Sequence, residues 1–402
     1  MTSTSFPHGA DHSGGAHAGH DVRIVRDRAA FAALRDDWES IVDTSRPHQR
    51  VFGSHAWFDA ALEWQGRDTA LELVCFEPEG RLGAVLPLTR RAERMRGMPL
   101  RELSFLAVPD TQWCDLVGAA ASSEAACGRI VDALEQAPAW DVMRLGWLMS
   151  DGPVLRVLVP VLKQRGYRVI ASAATRNPTL SLAGTWSAFL ASRSRRLKKA
   201  LNLASNRLHK AGTIEIAHAA PDGTSADEAQ RLLEHAVAVS KASWKRSTGN
   251  ALDRPGPLAF IRRLTQHAHE RGWLSLWTLS LDGRPVASEY QLVADGNVYA
   301  LRSDFDAAYE EISPGTHLNR VLLEAMFGTG LERYYMGPGE NAYKLRWRDG
   351  DEPVFLVTVY GKTARGALLA AWETTLRPLL ARLRDRFVAT DAGRPASVER
   401  DD

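Results

Sequence analysis

The chain has 402 residues, a length that usually divides into two domains. Hydrophobic residues make up 45% and charged residues 24%, as in an ordinary globular protein, and no apolar stretch is long enough to span a membrane. The net charge of +2 excludes a molecule that is basic as a whole, so any contact with nucleic acid would have to be local.

The cysteines and the N-terminal segment bear on the compartment and on metal binding. Cys75, Cys114 and Cys127 are odd in number and lack paired spacing, which argues against a disulfide framework or structural zinc and favours a reducing cytoplasm. Residues 1–20 are rich in Gly, Ala, Ser and His and lack a secretory signal, so we expect this tail and residues 389–402 to be disordered. The irregular spacing of the tail histidines does not indicate a metal site, and we expect no metal.

From residue 21 onward, short β-like runs alternate with amphipathic helical stretches, which is typical of a mixed sheet covered by helices. In the first half the pattern predicts helices at 27–45, 53–65, 123–136 and 153–165, and strands at 71–77, 81–91, 101–108, 141–148 and 167–172. Arg176-Asn177-Pro178 then predicts an end to the regular pattern.

The second half opens with a long amphipathic helical pattern over Trp186 to Ala211 that stops at Gly212. Further helices are predicted at 226–244, 258–271 and 315–327 and at the C-terminus to about 387, and strands at 213–217, 273–281, 285–294, 297–303, 331–336 and 353–360. Asp282-Gly283 is a strong hairpin signal, and the long loop 245–257 is of a kind that is often functional.

Two motifs stand out as parts of an enzyme site. A Gly- and Pro-rich turn, Gly337 to Trp347, follows an apolar run and presents Lys344 beside Tyr343. Upstream, Ser313-Pro314-Gly315-Thr316 opens a helix with a capping hydroxyl, a proline suited to the first turn and a glycine that lets backbone approach a ligand. Such a helix start attracts phosphate, although a plain helix cap has the same residues.

The order of elements in the second half resembles the GNAT acyltransferase fold, and the first half follows a more degenerate version of it. The resemblance implies two tandem GNAT-like domains, each a mixed, mostly antiparallel sheet flanked by helices, at residues 21–180 and 181–388. Paired domains of this kind are similar to the Fem-type transferases. Local patterns resemble the CelD-like branch associated with cellulose and exopolysaccharide gene clusters: residues 192–199, Ser243-Trp244-Lys245, residues 281–287, residues 304–306, Ser313-Pro314-Gly315 and Tyr343-Lys344.

In the first half the match is thinner. Leu103-Ser104-Phe105-Leu106 is followed by Trp113-Cys114-Asp115-Leu116, and Asp115 agrees with the family pattern. Relatives usually carry aspartate and tyrosine where this chain has Gln112 and Trp113. The departure puts the role of that loop in doubt.

The resemblance implies acetyl-CoA or another acyl-CoA as the donor. Its pyrophosphate would contact Ser313, Pro314, Gly315 and Thr316, and backbone amides of the preceding strand around Val298 and Ala300 would polarise the thioester. Lys344 is our choice for a cation at the oxyanion or the phosphates, its alternative being a solvated surface lysine.

A general base must be a carboxylate or a histidine within reach of the acceptor amine. The candidates are Asp306, Asp304, Glu289 and Asp115, with Asp306 and Asp115 ranked first, although each could be only a turn or surface acid. Tyr343 or Tyr335 would protonate the leaving thiolate. Trp113, Trp244, Lys245 and Glu289 are predicted to contact the acceptor, whereas we interpret His317 as a packed helix residue.

The basic helix has several possible partners. Arg193, Arg196, Lys199, Arg207 and Lys210 fall largely on one helical face, which could be solvated or could contact RNA, the 3′-phosphate of CoA, or an anionic glycan or lipid surface. We therefore predict a cytoplasmic N-acyltransferase acting on an amine, with a polysaccharide or cell-envelope acceptor implied by resemblance alone. The alternatives are a Fem-like transferase that uses aminoacyl-tRNA, and a catalytically idle GNAT-like scaffold.

Overall fold

A computed structural model describes residues 21–42, 46–66, 69–95, 97–243, 245 and 249–376. The described strands form one sheet of 12 strands. They are β1 Val22–Val25, β2 Ala70–Phe76, β3 Ala84–Met95, β4 Met98–Phe105, β5 Val142–Met149, β6 Arg168–Ser181, β7 Ile214–Ala219, β8 Leu274–Leu281, β9 Arg284–Ala294, β10 Asn297–Phe305, β11 Arg333–Tyr335 and β12 Gly350–Tyr360.

Helices cover both faces of this sheet. They are α1 Arg28–Ala33, α2 Arg35–Ile41, α3 Pro47–Phe52, α4 His55–Gln65, α5 Glu124–Gln136, α6 Val159–Gln164, α7 Trp186–Ser192, α8 Arg195–Ala211, α9 Ala226–Ala242, α10 Pro255–Glu270, α11 Pro314–Met326, α12 Ala342–Trp347 and α13 Ala364–Ala371. Short 3₁₀ turns lie at Pro78–Gly80, Ala119–Ser122 and Ala307–Ile312, and π-helical segments at Val154–Leu158 and Trp372–Leu376. None of the described helices is both long enough and apolar enough to cross a membrane.

The strand order is β1-β2-β3-β4-β5-β12-β6-β11-β10-β9-β8-β7, and it shows how the two halves are joined. Each half contributes four antiparallel strands followed by one parallel neighbour, β4 with β5 and β10 with β11. The sixth strand of each half then pairs with the other half: β12 lies against β5, and β6 lies against β11. The halves have therefore exchanged their last strands, and β6 and β12 pair antiparallel along the centre.

This architecture confirms the predicted fold class of two similar mixed, mostly antiparallel units flanked by helices. The division between residues 180 and 181 stays a prediction, and the tails at 1–20 and 389–402 lie outside the described residues. The core extends on both faces of the sheet. On one face Trp57 of α4 packs against Phe260 of α10, and on the other α8 and α11 bury Leu201, Leu208 and Leu322 against the second half.

The structure corrects four of the predicted elements. Strand β6 does not stop at Arg176-Asn177-Pro178 but continues to Ser181, because Asn177 and Pro178 stay paired with β12 and the Pro178 carbonyl accepts from Met336 N at 3.0 Å. The predicted helix 186–211 breaks at Arg193, where Ser194 caps α8 by accepting from Leu197 N at 3.2 Å. Helix α12 forms inside the predicted turn 337–347, and β1 was not predicted.

Candidate active site

The central feature of the second half is the point where β10 and β11 part. They pair in parallel only over three positions, Asn297–Tyr299 with Arg333–Tyr335, after which β10 bulges between Ala300 and Arg302 and continues to Phe305. A cavity of about 650 Å³ lies at this point. Parting strands leave backbone groups without ladder partners, so a ligand can bind to the edge of β10 here.

The start of α11 forms one side of the cavity. Ser313 adopts a left-handed conformation (φ 56°), Pro314 occupies the first helical turn, and Ser313, Gly315 and Thr316 line the cavity. The Ser313 hydroxyl does not cap α11 as predicted, because it donates backward to Glu310 O at 3.4 Å. Asn319 fixes this turn, since its Nδ2 donates to Gly315 O at 2.9 Å. The positive end of the helix dipole therefore borders the cavity, an arrangement that favours an anion.

Lys344 enters the cavity from α12. Asn341 caps this helix by accepting from Lys344 N at 2.9 Å, and the Lys344 Nζ donates to Gly337 O at 2.7 Å and Pro338 O at 3.1 Å. Burial, reinforced by the ammonium of Lys245, lowers the pKa of Lys344 to about 8. At neutral pH Lys344 remains mostly protonated, and the two carbonyl oxygens fix the orientation of its ammonium group.

Glu289 on β9 is the buried carboxylate of the cavity. It is 2% exposed, and burial raises its pKa to about 7. Lys245 favours the charged form, whereas Asp304 opposes it. Tyr334 donates its hydroxyl to Glu289 Oε1 at 3.1 Å, and Oε2 accepts no hydrogen bond from any described residue. A carboxylate with this pKa and a free oxygen has the properties of a general base at neutral pH.

A hydrogen-bonded chain of buried side chains extends from Glu289 across the sheet. Gln291 Nε2 donates to the Tyr334 hydroxyl at 3.1 Å, and Ser275 Oγ donates to Gln291 Oε1 at 3.1 Å. At the far end Ser275 Oγ lies 3.0 Å from His218 Nε2. Burial raises the pKa of Tyr334 well above its ordinary value, so its hydroxyl stays protonated.

The indole of Trp277 adds a donor to this chain. Its Nε1, which only donates, gives its hydrogen to Ser275 Oγ at 3.2 Å. The Ser275 hydroxyl then faces Gln291 Oε1, the Gln291 amide faces Tyr334, and each bond points toward Glu289. The chain therefore supplies a donor to the charged form of that carboxylate.

The first half closes the opposite wall of the cavity. Gln112 Nε2 donates to Ala300 O, at the bulge in β10, at 2.9 Å, and Asn177 Nδ2 donates to Gln112 Oε1 at 3.1 Å. Nearby Arg302 of β10 donates to Asp110 Oδ2 at 2.7 Å, and both side chains are buried. The loop around Gln112 thus holds the bulged strand in place.

Among the predicted site residues, the structure brings eight together on the cavity: Lys344, Tyr343, Ser313, Gly315, Thr316, Ala300, Lys245 and Glu289. Lys245 pairs with Asp304 at 3.1 Å and donates to Ser303 O at 2.8 Å. Tyr343 is half-buried, and burial raises its pKa well above its ordinary value. Trp244 lies outside the described residues.

The structure does not bring the two first-ranked acids to this cavity. Asp306 caps the turn after β10 by accepting from Ala308 N at 3.0 Å and pairs with Arg284 at 2.7 Å. Asp115 accepts from the backbone amides of Leu116 at 2.8 Å and Val154 at 2.9 Å, and burial raises its pKa to about 7. It belongs to a separate small pocket of the first half, so both acids have structural partners instead.

Three other predicted contacts also lie off the cavity lining. Val298 is fully buried in the core, and Pro314 turns inward at the start of α11. Trp113 is 3% exposed and packs edge-on against Tyr335, with ring centroids 4.8 Å apart. Their side chains therefore support the site without facing it.

Sequence reasoning missed Tyr334, Gln291, Arg302 and Asp110. One signal could have found Gln291: it lies two residues after the candidate Glu289 in an apolar strand, so the two side chains share one face. The Tyr334 and Asp110 contacts depend on pairings over more than 40 residues, which no local pattern reveals.

Comparison with known proteins finds a family match within the second half. Residues 193–345 match the acetyltransferase (GNAT) domain family. Among curated proteins, none matches the chain. Within the described residues, no group of three or more His, Cys, Asp and Glu side chains is arranged to hold a metal ion.

Solved structures share the whole architecture. The C-terminal DUF2156 domain of a protein described as a lysylphosphatidylglycerol synthetase from Agrobacterium fabrum is 14% identical, with a TM-score of 0.52 over 86% of this chain and 97% of that one. FemX is 11% identical, with a TM-score of 0.51 over 87% of this chain and 98% of that one. At this identity the likeness shows the fold alone, and it extends through both halves.

Proposed function

Because residues 193–345 match the acetyltransferase (GNAT) domain family, we propose that the protein is an N-acyltransferase that moves an acetyl or longer acyl group from acyl-CoA to an amine. The observation that carries the proposal is one cavity that contains the α11 N-terminus, the parted edge of β10, the half-buried Lys344 and a carboxylate whose pKa is raised to about 7. Direct transfer needs a seat for the donor, a polarised carbonyl and a base, and the cavity offers a group for each.

In this proposal the phosphates of the donor bind the start of α11 at Ser313, Gly315 and Thr316. The thioester lies along β10 beyond Ala300, where backbone amides and the Lys344 ammonium face the carbonyl oxygen. Lys344 is suited to this because two carbonyls fix its direction and burial strengthens its electrostatic effect.

Glu289 removes the proton from the attacking amine, directly or through one water. The amine nitrogen bonds to the acyl carbon, the carbon–sulfur bond breaks, and the thiolate takes a proton from Tyr343 or from solvent. Glu289 replaces Asp306 and Asp115 as our candidate for the base, because among these three acids it alone lines the cavity.

The direct test is a thermal shift titration with acetyl-CoA, longer acyl-CoAs and aminoacyl-tRNA. A ligand present at about 100 times its dissociation constant stabilises the folded state by about 2.7 kcal/mol. Stabilisation by a CoA thioester supports the proposal. No shift with any CoA, or a shift with aminoacyl-tRNA alone, would reject it, the second result in favour of a Fem-like transferase.

A companion test addresses Lys344. We expect Lys344→Ala to lower the transfer rate about 100-fold with little change in acyl-CoA affinity, since the ammonium acts mainly on the transition state. Lys362→Ala, which removes an exposed lysine paired with Glu135 in the first half, is the matched control. Equal rates for the two variants would remove Lys344 from the mechanism.

Our proposal for the acceptor comes from the sequence resemblance and not from the residues that line the cavity. The CelD-like patterns of the sequence support an amine on a polysaccharide or cell-envelope precursor. Transfer assays with amino sugars as acceptors and acetyl-CoA as donor test this part separately, because binding of the donor alone leaves it open.

A further inference from the structure

The outer face of α8 carries a band of basic side chains. Its inner side buries Leu197, Leu201 and Leu208. At 100° per residue, five exposed basic side chains fall within a sector of about 120° on the other side. They are Arg195, Arg196, Lys199, Arg207 and Lys210.

An exposed leucine lies in the middle of this band. Leu203 is 44% exposed and stands one turn from both Lys199 and Arg207. Leu345 on the neighbouring helix α12 is 41% exposed and precedes the exposed Arg346. Large apolar side chains flanked by cations are typical of surfaces that meet the headgroup region of a bilayer.

The N-terminal end of α8 lies next to the C-terminal end of α12. Arg193, just before α8, donates from Nη1 to Arg348 O, just after α12, at 3.0 Å. Arg346 also lines the cavity. The N-terminal end of α8 is therefore close to a helix that lines the mouth of the proposed active site.

The surrounding sequence strengthens the positive field. Between Asp151 and Glu215 the chain has 63 residues with no aspartate or glutamate and with 12 lysines and arginines. Acidic neighbours of α8 lie toward its C-terminal end. They are the turn Ala307–Ile312, where Arg207 donates to Glu311 O at 2.7 Å, and Asp282, which accepts from Thr213 N at 2.8 Å just after the helix. The Arg195 end of the helix is the more strongly positive one.

We propose that the outer face of α8, together with Leu345 of α12, docks on an anionic lipid bilayer. Cations attract acidic headgroups over a Debye length, and Leu203 and Leu345 gain by leaving water. Nucleic acid fits this face less well because a phosphate backbone makes no favourable apolar contact with Leu203. The aromatic side chains of the preceding helix α7, Trp186 and Phe189, pack on Phe327 with ring centroids 5.8 and 5.2 Å apart and are therefore not free to stack on bases.

This inference does not depend on the proposed transferase activity. It concerns where the molecule works: a bilayer held against α8 would bring the cavity mouth close to compounds embedded in that membrane. Binding and catalysis are measured separately, so either conclusion can fail alone.

The test is co-sedimentation of the full chain with vesicles of phosphatidylcholine alone and vesicles that also contain phosphatidylglycerol. We expect binding to the anionic vesicles only, weakening as salt is added. Arg195→Glu with Lys199→Glu should reduce the partition coefficient at least about tenfold. Glutamate at the start of a helix is compatible with its dipole, so α8 should still fold, and circular dichroism checks this.

Two further variants make the result specific. Leu203→Ala should lower the partition coefficient several-fold without changing the charge, and it keeps the test open if the double variant fails to fold. Arg81→Glu with Arg94→Glu makes the same change in net charge on exposed positions of the first half and should bind like the unaltered chain. Equal losses in both double variants would show a non-specific charge effect and overturn the proposal.

Two other outcomes would also overturn it. One is failure of the unaltered chain to bind anionic vesicles at low salt. The other is tighter binding of an RNA duplex than of the vesicles, lost on changing Arg195 and Lys199, which would assign the face to nucleic acid.

Discussion

The carboxylate of Glu289 depends on a neighbour for its charge. Tyr334 is a donor to Glu289 and is itself held by Gln291. Removing this donor makes the charged form less favourable, so the pKa of Glu289 should rise further. In Tyr334→Phe we expect the acidic limb of the kcat/KM profile, set near pH 7 by Glu289, to move upward by about one unit.

Tyr290→Phe is the control for that shift. Tyr290 neighbours Glu289 in β9 but points to the opposite face, where its hydroxyl lies 3.0 Å from Thr265 Oγ1. Tyr290→Phe therefore removes a tyrosine hydroxyl without altering the hydrogen-bonded chain that ends at Glu289. An unchanged profile in Tyr334→Phe would mean that Tyr334 does not act through the carboxylate.

Glu289 also predicts how stability depends on pH. Its pKa is raised from 4.5 to about 7 on folding, so between these values the folded state holds a proton that the unfolded state has lost. Stability therefore falls as pH rises through this range, by about 3 kcal/mol in total. Glu289→Gln should remove this part of the pH dependence.

The measurement is denaturant unfolding of both proteins at pH 5 and pH 8. The variant should gain stability relative to the parent at pH 8. Other buried acids such as Asp115 titrate in both proteins and cancel in the difference. A parallel pH dependence for the two proteins would show that Glu289 is not raised in pKa.

The first turn of α11 offers a test at the scale of the helix. A Cβ at Gly315 would meet the ring of Phe305 at 3.6 Å, an ordinary contact, so Gly315→Ala should fold and be at least as stable. The added methyl group would occupy space at the cavity wall where a phosphate has to approach the backbone.

We therefore expect Gly315→Ala to keep its melting temperature and to lose most of the stabilisation by acyl-CoA. Thermal shift measurements with and without the ligand provide both values. Full retention of the ligand shift would argue that the phosphates bind elsewhere.

Strands and helices with clear periodicity were predictable, and those set by distant pairing were not. The hairpin at Asp282-Gly283 follows from local turn chemistry: both residues have positive φ, 49° and 77°, and they connect β8 to β9. Strand β6 could not be extended past Pro178 from sequence, because its continuation there depends on pairing with β12 and β11, which are both distant in the chain.

The residues of the candidate site also fall into a group that was predictable from the sequence and a group that was not. Ser313 to Thr316 and Lys344 carry local signals, a helix start and a glycine turn, and the structure brings Ser313, Gly315, Thr316 and Lys344 to one cavity. The acids could not be ranked from sequence because a carboxylate becomes a base through burial and neighbours. The sequence shows neither the burial of Glu289 nor the capping role of Asp306.

At the scale of the whole molecule, the exchanged strands predict that neither half is complete alone. Without residues 350–360, strand β5 would be an open edge, and without β6 the strand β11 would be one. We expect fragments 1–183 and 184–402, cut at the exposed turn before Gly184, to be poorly soluble when made separately and to form a stable complex when co-expressed.

Co-purification of a tagged first fragment with the untagged second one measures this. Circular dichroism of the complex should match that of the intact chain. Well-folded, soluble single fragments would show that the exchange contributes little to the stability of either half.

The exchange also constrains the order of events during synthesis. The first half leaves the ribosome long before residues 350–360 exist, so β5 has no final neighbour while the intervening 200 or so residues are translated. Its folding must wait for the end of the chain, and during that delay the open edge could pair with another nascent chain. Slower elongation late in the message would lengthen this exposure, so we expect the yield of folded protein to respond to codon choice between β6 and β12 more than to codon choice in the first strands.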